Sequence, residues 1–177
     1  TNTVIHAAIG GIIGNMESGK ITKNDSGKRG SVTGKITVNS HSEDSGQWHA
    51  IAGIAGFVAE TVEEISDVDV MATNESAISV EMAPAKSNVY TAGFVGYIPT
   101  ALTLKNLVNN MPVSYKVNGQ STSDRLPYVS GGCGRTLAAI TMDNCTNNGD
   151  ITVEGTKMTV ELDCGGLLAC HHTAHGQ

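Results

Sequence analysis

Aromatic residues are scarce in this sequence, and long apolar runs are absent. Aromatic side chains make up 4% of the 177 residues, whereas hydrophobic residues make up 40%. The core must therefore consist mainly of small and branched aliphatic side chains, and a large aromatic-lined pocket is not expected. No run of about eighteen apolar residues occurs, which excludes a membrane-spanning helix in this segment. The chain begins with Thr1 and has no basic and apolar leader, so we expect it to be a processed or excised part of a longer precursor.

Positive charge is scarce as well. The chain has 11 Lys and Arg residues against 17 Asp and Glu, which gives a formal net charge of -6. The only basic concentration is spread among Gly and Ser residues: Lys20, Lys23, Lys28, Arg29 and Lys35. Nucleic-acid binding requires a dense basic face, because much of its affinity comes from counterion release. Nucleic acid is therefore not an expected partner.

Glycine is abundant, and it recurs within one short phrase. The phrase reads IGGIIGN at 9–15, IAGIAGF at 51–57, TAGFVGY at 91–97, VSGGCGR at 129–135 and DCGGLLA at 163–169. Its first strict glycines are Gly11, Gly53, Gly93, Gly131 and Gly166. Their regular spacing predicts tandem repeats within a single domain over residues 1–177. The approximate repeat boundaries are 9–50, 51–90, 91–128, 129–162 and an incomplete 163–177.

A second phrase predicts β-strands. It alternates β-branched apolar residues with polar ones, as in ITV at 36–38 and 151–153, which is the period of a half-buried strand. A third segment, clearest as ITMDNCTNNG at 140–149, lies between the two phrases. Three short segments per repeat, joined by turns, are typical of one coil of a β-solenoid. Residues 60–70 are the one stretch whose spacing is also compatible with a helical turn.

Stacking of such coils aligns equivalent residues in columns, at a spacing of roughly 4.8 Å. One aliphatic column is expected to contain Ile13, Ala55, Val95, Cys133 and Leu168. Another is expected to contain Ile36, Ile78, Val113 and Ile151. A third is expected to place amides in a ladder at Asn74, Asn109 and Asn147, with Val32 at that position in the first repeat.

These phrases, together with ITMDNCTNNGDITVEG at 140–155, resemble the GLUG-type repeats of large bacterial surface and secreted proteins. The resemblance covers essentially the whole chain. It is closest in the fourth repeat and weakest in the first, which carries an insertion at 20–30. It implies a right-handed parallel β-helix, here of about four and a half coils, in an adhesin-like or multidomain secreted protein. It implies no catalytic residues.

Cysteine and histidine residues crowd the C-terminus and raise the question of a metal site. The candidates are Cys164, Cys170, His171, His172 and His175. Their spacing matches no standard zinc motif, so no metal and no cofactor are expected. Inter-coil disulfides, Cys133 with Cys164 or Cys145 with Cys170, are alternatives to free thiols. For Cys133 a buried free thiol is favoured.

An acidic cluster is the other candidate for chemistry. It consists of Glu60, Glu63, Glu64, Asp67 and Asp69, and no basic residue accompanies it along the chain. Polysaccharide-active β-helices need acids and bases at matching positions of adjacent coils, and no aligned acid occurs at Thr100 or Thr103. The cluster is interpreted as a solvated acidic edge or a weak cation site. No catalytic residue is assigned.

The repeats show no end cap, so the terminal coils are expected to present unpaired strand edges. The sequence predicts a non-catalytic extracellular or cell-surface module, adhesin-like or structural. Its partner is expected to be a protein or a glycan, contacted through open coil ends or through variable outer loops at residues 40–49, 83–89 and 120–127. The alternatives are a polysaccharide lyase or glycoside hydrolase and a self-assembling filament subunit.

Overall fold

The computed structural model describes residues 6–40, 48–73, 76–82, 88–121, 127–158 and 162–171. Within these ranges the chain forms eighteen β-strands and no helix, and hence no helix that is long and apolar enough to cross a membrane. The strands are β1 (Ala7–Gly10), β2 (Ile13–Ile21), β3 (Gly30–Val32), β4 (Lys35–Ser40), β5 (Trp48–Ala52), β6 (Ala55–Val70), β7 (Ala77–Met82), β8 (Asn88–Ala92), β9 (Val95–Ile98), β10 (Leu102–Asn109), β11 (Val113–Ser121), β12 (Pro127–Ser130), β13 (Cys133–Thr136), β14 (Ile140–Asp143), β15 (Thr146–Asn147), β16 (Ile151–Met158), β17 (Asp163–Gly165) and β18 (Leu168–His171).

The strands form three parallel sheets that wind into a β-solenoid of about four coils. Sheet A has the order β1-β5-β8-β12-β17, and sheet C has the order β16-β11-β7-β4. Sheet B follows β14-β10-β6-β9-β13-β18, with β2 and β3 also paired to β6 and β15 to β10. Each coil passes from sheet A through sheet B to sheet C and then begins the next coil. The prediction of an all-β parallel solenoid is confirmed.

The strand register confirms both predicted aliphatic columns. Each residue of the first column lies beside the next one on the neighbouring coil: Ile13, Ala55, Val95, Cys133 and Leu168. The second column runs in the same way through Ile36, Ile78, Val113 and Ile151. Both columns belong to the hydrophobic core or pack against it, so stacked aliphatic side chains fill the interior of the coils.

Residues 60–70 form the second half of strand β6, and the helical alternative is wrong. Ile65 and Val68 are both fully buried although they are three residues apart. The reason is Asp67, whose φ of 57° lies in the left-handed region and interrupts the alternation of the strand. Asp tolerates this conformation better than most residues because its short polar side chain bonds locally. A spacing of three here therefore reflects a kink in the strand.

The amide column differs from the prediction. Asn109 pairs with Asn147 as expected, but its neighbour on the preceding coil is Val70, which in turn lies beside Val32. The assignment of Asn74 to this column was wrong, because Val70, four residues before Asn74, occupies the position beside Asn109. Asn74 itself lies outside the described residues. The Asn109 Nδ2 donates to Asn147 Oδ1 at 2.7 Å, so the ladder in the described coils is two amides long.

Candidate functional site

Glycine brings the outer faces of sheets A and B close together at the corner that the glycine phrase forms. A Cβ atom added to Gly96 would lie 3.0 Å from the Ala50 Cβ, and one added to Gly134 would lie 3.0 Å from the Tyr90 Cβ. One added to Gly56 would lie 2.8 Å from the Ala50 carbonyl oxygen. Such distances are too short for ordinary Cβ contacts, so only glycine allows this approach. The corner is therefore concave on its outer side.

Three successive coils each place two large side chains in this concave corner, one from sheet A and one from sheet B. We name this set the aromatic corner: Trp48 with Phe57, Tyr90 with Tyr97, and Tyr128 with Arg135. The chain has one Trp, four Tyr and two Phe residues, so five of its seven aromatic side chains lie here. The remaining two, Phe94 and Tyr115, belong to the hydrophobic core.

The rings of the aromatic corner form one continuous cluster. Tyr90 lies between Tyr97 and Tyr128, with ring centroids 4.9 and 5.2 Å away. Trp48 stacks on Phe57 at 5.2 Å and meets the edge of Tyr97 at 5.4 Å. These separations fall in the favourable range for aromatic pairs. The cluster therefore holds its own side chains in fixed positions, which prepares them for contact with a ligand.

Exposure divides the cluster into a buried floor and an open rim. Tyr90 and Tyr128 are buried, with 2% and 5% of their surface exposed. Trp48, Phe57 and Tyr97 are each partly exposed. Burial raises the pKa of Tyr97 and of Tyr128, so both phenols remain neutral hydrogen-bonding groups at physiological pH. The rim thus offers the exposed parts of three rings together with one phenol group, that of Tyr97.

Arg135 lies at the end of the cluster, on the fourth coil, at the position equivalent to Tyr97. Its guanidinium carbon lies 5.5 Å from the ring centroid of Tyr128 and 5.9 Å from that of Tyr90, which is cation–π geometry. Its Nη1 donates to the Tyr90 hydroxyl at 3.1 Å. On the fifth coil the corner continues with Asp163 beside Tyr128 and Cys170 beside Arg135.

The low aromatic content of the sequence did not reveal this site. The low aromatic content led to the expectation that no large aromatic-lined pocket exists, and it did not anticipate that most of the few aromatic side chains gather on one corner. One sequence signal was present: the last residue of the glycine phrase is Phe57, Tyr97 and Arg135 in three successive repeats. The opposing residues Trp48, Tyr90 and Tyr128 follow no comparable phrase, and only the bend between the sheets brings them to the same place.

The predicted contact loops lie largely outside the described residues, which omit 41–47, 83–87 and 122–126. The strands that follow these three segments are β5, β8 and β12. Those are the sheet A strands that carry Trp48, Tyr90 and Tyr128. The loops and the aromatic corner therefore adjoin each other along the chain.

The cysteines are free thiols, so neither predicted disulfide is formed. The register explains this for the first pair, because Cys133 lies beside Leu168 and Cys164 lies beside Val129. Cys133 is buried, as favoured, and burial raises the pKa of its thiol. Within the described ranges no group of three or more potential metal ligands occurs, and His172 and His175 lie outside those ranges.

Basic residues from the first coil pair with the acidic cluster, which corrects the view that no basic residue accompanies it. Lys20 Nζ lies 2.9 Å from Glu63, and Arg29 lies 2.6 Å from Asp69 and 3.4 Å from Asp67. These partners are about 40 positions away in the sequence, one coil earlier. Coil stacking therefore pairs three of the five carboxylates of this edge, those of Glu63, Asp67 and Asp69, with cations.

A polar ladder continues from Arg29 across three further coils. Asp67, Asn106 and Asn144 occupy equivalent positions, each with a positive φ between 51 and 57°. Asn144 Nδ2 donates to Asn106 Oδ1, and Asn106 Nδ2 donates to Asp67 Oδ1, at 2.9 and 3.0 Å. Arg29 also donates to the Asn106 carbonyl oxygen at 2.6 Å. The ladder ties the insertion of the first repeat to the body of the solenoid.

Replacement of Arg29 by Gln is expected to lower the free energy of unfolding by about 1 kcal/mol. The expected loss of stability is small because the Arg29 side chain is 36% exposed, so solvent screens part of its interaction with Asp67 and Asp69. Lys20→Gln is the matched control, because the Lys20 to Glu63 pair is largely exposed and its loss should not be measurable. Urea denaturation of both variants measures the difference. Equal destabilisation by the two substitutions would show that Arg29 acts only as a surface charge.

No family model, curated protein or solved structure matches this chain. Its class is defined by the molecule itself: a parallel β-solenoid with one aromatic and arginine-bearing surface on its outer side.

Proposed function

We propose that this chain is a non-catalytic module of an extracellular or cell-surface protein and that it binds a glycan through the aromatic corner. The observation that carries the proposal is the concentration of five of seven aromatic side chains, with Arg135, on one outward-facing corner. Fixed, partly exposed rings suit the C–H faces of sugar rings, while nearby phenol and guanidinium groups bond to sugar oxygens. The resemblance of the repeats to GLUG-type repeats supports the surface location.

The size of the corner favours a glycan over a protein partner. A stable protein–protein interface buries roughly 800 Å² on each partner. Trp48, Phe57 and Tyr97 are each only partly exposed, and a whole aromatic side chain spans about 150–250 Å², so their combined exposed surface is far smaller than such an interface. This area suits contact with a few sugar units.

The repeat of the solenoid also suits a linear oligosaccharide. Neighbouring coils are spaced by roughly 4.8 Å, which is close to the length of one hexopyranose unit in an extended glycan. Phe57 and Tyr97 lie on successive coils at equivalent positions, and Arg135 follows on the next coil. A glycan that lies along the corner, parallel to the solenoid axis, can therefore contact one coil with each sugar unit.

A polysaccharide-active enzyme is the alternative that the structure supports less well. The strand positions of the aromatic corner and of its continuation into the fifth coil include one carboxylate, Asp163, whereas glycoside hydrolysis ordinarily needs two. A shallow cleft of about 260 Å³ on sheet B, lined by Thr103 and Thr141 among others, contains only Glu63 as an acid. That carboxylate is paired with Lys20. New reducing ends or unsaturated sugars after incubation with acidic glycans would favour the enzyme.

Binding to an array of oligosaccharides tests the proposal. Phe57→Ala and Tyr97→Ala are each expected to weaken binding at least tenfold, because each removes ring contact worth about 1.4 kcal/mol or more. Met71→Ala is the matched control, since Met71 is an exposed apolar side chain, 42% exposed, outside the corner. Circular dichroism verifies that each variant is folded.

Two results would contradict the proposal. One is a wild-type chain that binds no glycan on the array, and the other is a Tyr97→Ala variant that binds as tightly as the wild type. Light scattering over a concentration series separates the filament alternative, because end-to-end assembly would raise the apparent mass with concentration and leave glycan binding absent.

A further inference from the structure

The aromatic corner contains one cation, the partly buried guanidinium of Arg135. Lys20, Arg29, Lys105 and Lys116 each lie within ion-pair distance of a carboxylate. Among the described residues, Lys23, Lys28 and Lys35 also have no carboxylate within ion-pair distance, but these three side chains are exposed. Arg135 is partly buried, and within the same described part of the chain no carboxylate comes that close to it. Its positive charge is instead surrounded by the tyrosines at positions 90, 97 and 128.

The guanidinium of Arg135 also has unused hydrogen-bonding capacity. A guanidinium carries several N–H donors in a planar fork. Among the described residues, the one bond recorded for it runs from Nη1 to the Tyr90 hydroxyl. Its Nε is buried and has no hydrogen-bond partner. Because Nε is enclosed by the protein, a ligand from solvent can bond only to the Nη1 and Nη2 N–H groups that Tyr90 does not occupy.

The surroundings of Arg135 restrict what that ligand is. The rings of Tyr90 and Tyr128 hold the guanidinium plane in place, which preorganises its fork for a planar, two-oxygen anion. Tyr97 lies at the equivalent position one coil earlier and is partly exposed, so part of an aromatic side chain is accessible one coil away from the cation. A carboxylate attached to a sugar ring fits this combination.

We propose that the aromatic corner is specific for carboxylated glycans, in which an acidic sugar residue packs on Tyr97 and its carboxylate binds Arg135. The inference rests on the proposed glycan binding and names its ligand class. The chain has a net charge of -6, so general electrostatic attraction does not favour a polyanion. Selectivity for an acidic glycan therefore depends on this local cation.

Calorimetric titration with paired ligands tests the inference. The ligands are oligouronates and sialylated oligosaccharides, each compared with its carboxyl-reduced, neutral form. We expect the wild-type chain to bind at least one acidic ligand about tenfold more tightly than its neutral counterpart, as loss of one charge-assisted contact implies. Arg135→Gln is expected to bring the two affinities within about twofold. Arg135→Lys should keep part of the selectivity, because it retains the charge and loses the fork.

The controls separate this inference from the proposal on which it rests. Arg135→Lys and thermal melting guard against misfolding, since Arg135 is partly buried. Equal binding of acidic and neutral glycans by the wild type would overturn the carboxylate assignment and leave glycan binding intact. Acid selectivity that persists in Arg135→Gln would also overturn it. Absence of binding to every member of both series would overturn both proposals.

Discussion

Gly93→Ala is expected to destabilise the folded chain by about 3 kcal/mol or more, among the largest effects of any single substitution here. A Cβ atom at this position would overlap the carbonyl oxygen of Gly131 on the next coil and would lie 2.7 Å from the Asn109 side chain. Both neighbours are held in place: the Gly131 N–H donates to the Gly165 carbonyl oxygen on the following coil, and Asn109 is fully buried. The coils would have to separate locally to accommodate the methyl group.

Gly166→Ala is the matched control for this prediction. Gly166 occupies the same place in the fifth coil as Gly131 does in the fourth, yet an added Cβ would meet nothing within 4 Å. Urea or thermal denaturation of the two variants measures the difference, and a loss of about 3 kcal/mol corresponds to a midpoint lowered by roughly 10 °C. Similar stability of Gly93→Ala and Gly166→Ala would show that the coil spacing at this corner is looser than the structure indicates.

Asn109→Asp is expected to lower the free energy of unfolding by about 3 kcal/mol at neutral pH. The Asn109 side chain is fully buried and makes three hydrogen bonds. Its Nδ2 donates to Asn147 Oδ1 and to the Met111 carbonyl oxygen, and its Oδ1 accepts from the Met111 N–H. A carboxylate keeps the acceptor, loses both donors and places a negative charge against two acceptor oxygens.

The pH dependence distinguishes this effect from a simple packing defect. Burial raises the folded-state pKa of an aspartate at position 109 above its unfolded value of about 3.9. The variant therefore binds more protons when folded, so its stability relative to the wild type is highest below pH 4 and falls as pH rises towards the folded-state pKa. Asn148→Asp is the control, because Asn148 is exposed and makes one ladder bond, to Asn110. A deficit in Asn109→Asp that is independent of pH would contradict the burial of a charge.

Most of the fold follows from short-range sequence patterns. Alternation at 36–38 and 151–153 placed two sheet C strands correctly, and the spacing of the glycine phrase gave the repeat interval. Tandem repetition made the aliphatic columns predictable, because similar coils stack in register. Once equivalent residues are aligned in the sequence, each one lies beside its counterpart on the next coil. The predictions failed at Asn74, where the coil departs from the repeat spacing, and at the kink of Asp67, which recurs at Asn106 and Asn144 but is invisible to an alternation pattern.

The ion pairs and the aromatic corner required the tertiary structure. Arg29 contacts Asp67 and Asp69 only because stacking brings residues one coil apart together, and no local sequence pattern predicts such an ion pair. Disulfides were equally undetermined. Cys133 and Cys164 are 31 residues apart, four fewer than the interval from Cys133 to its neighbour Leu168, so they do not lie in register.

The sequence by itself determined the class of fold, the repeat phase, and the aliphatic columns of the core, because these depend on alternation and on the interval between equivalent residues. Only the tertiary structure decided which outward-facing side chains meet. Whether Trp48 contacts Phe57, or Arg135 lies over Tyr128, depends on the angle between two sheets, and that angle is set by backbone contacts at the corner glycines. The proposed binding surface is a product of that angle.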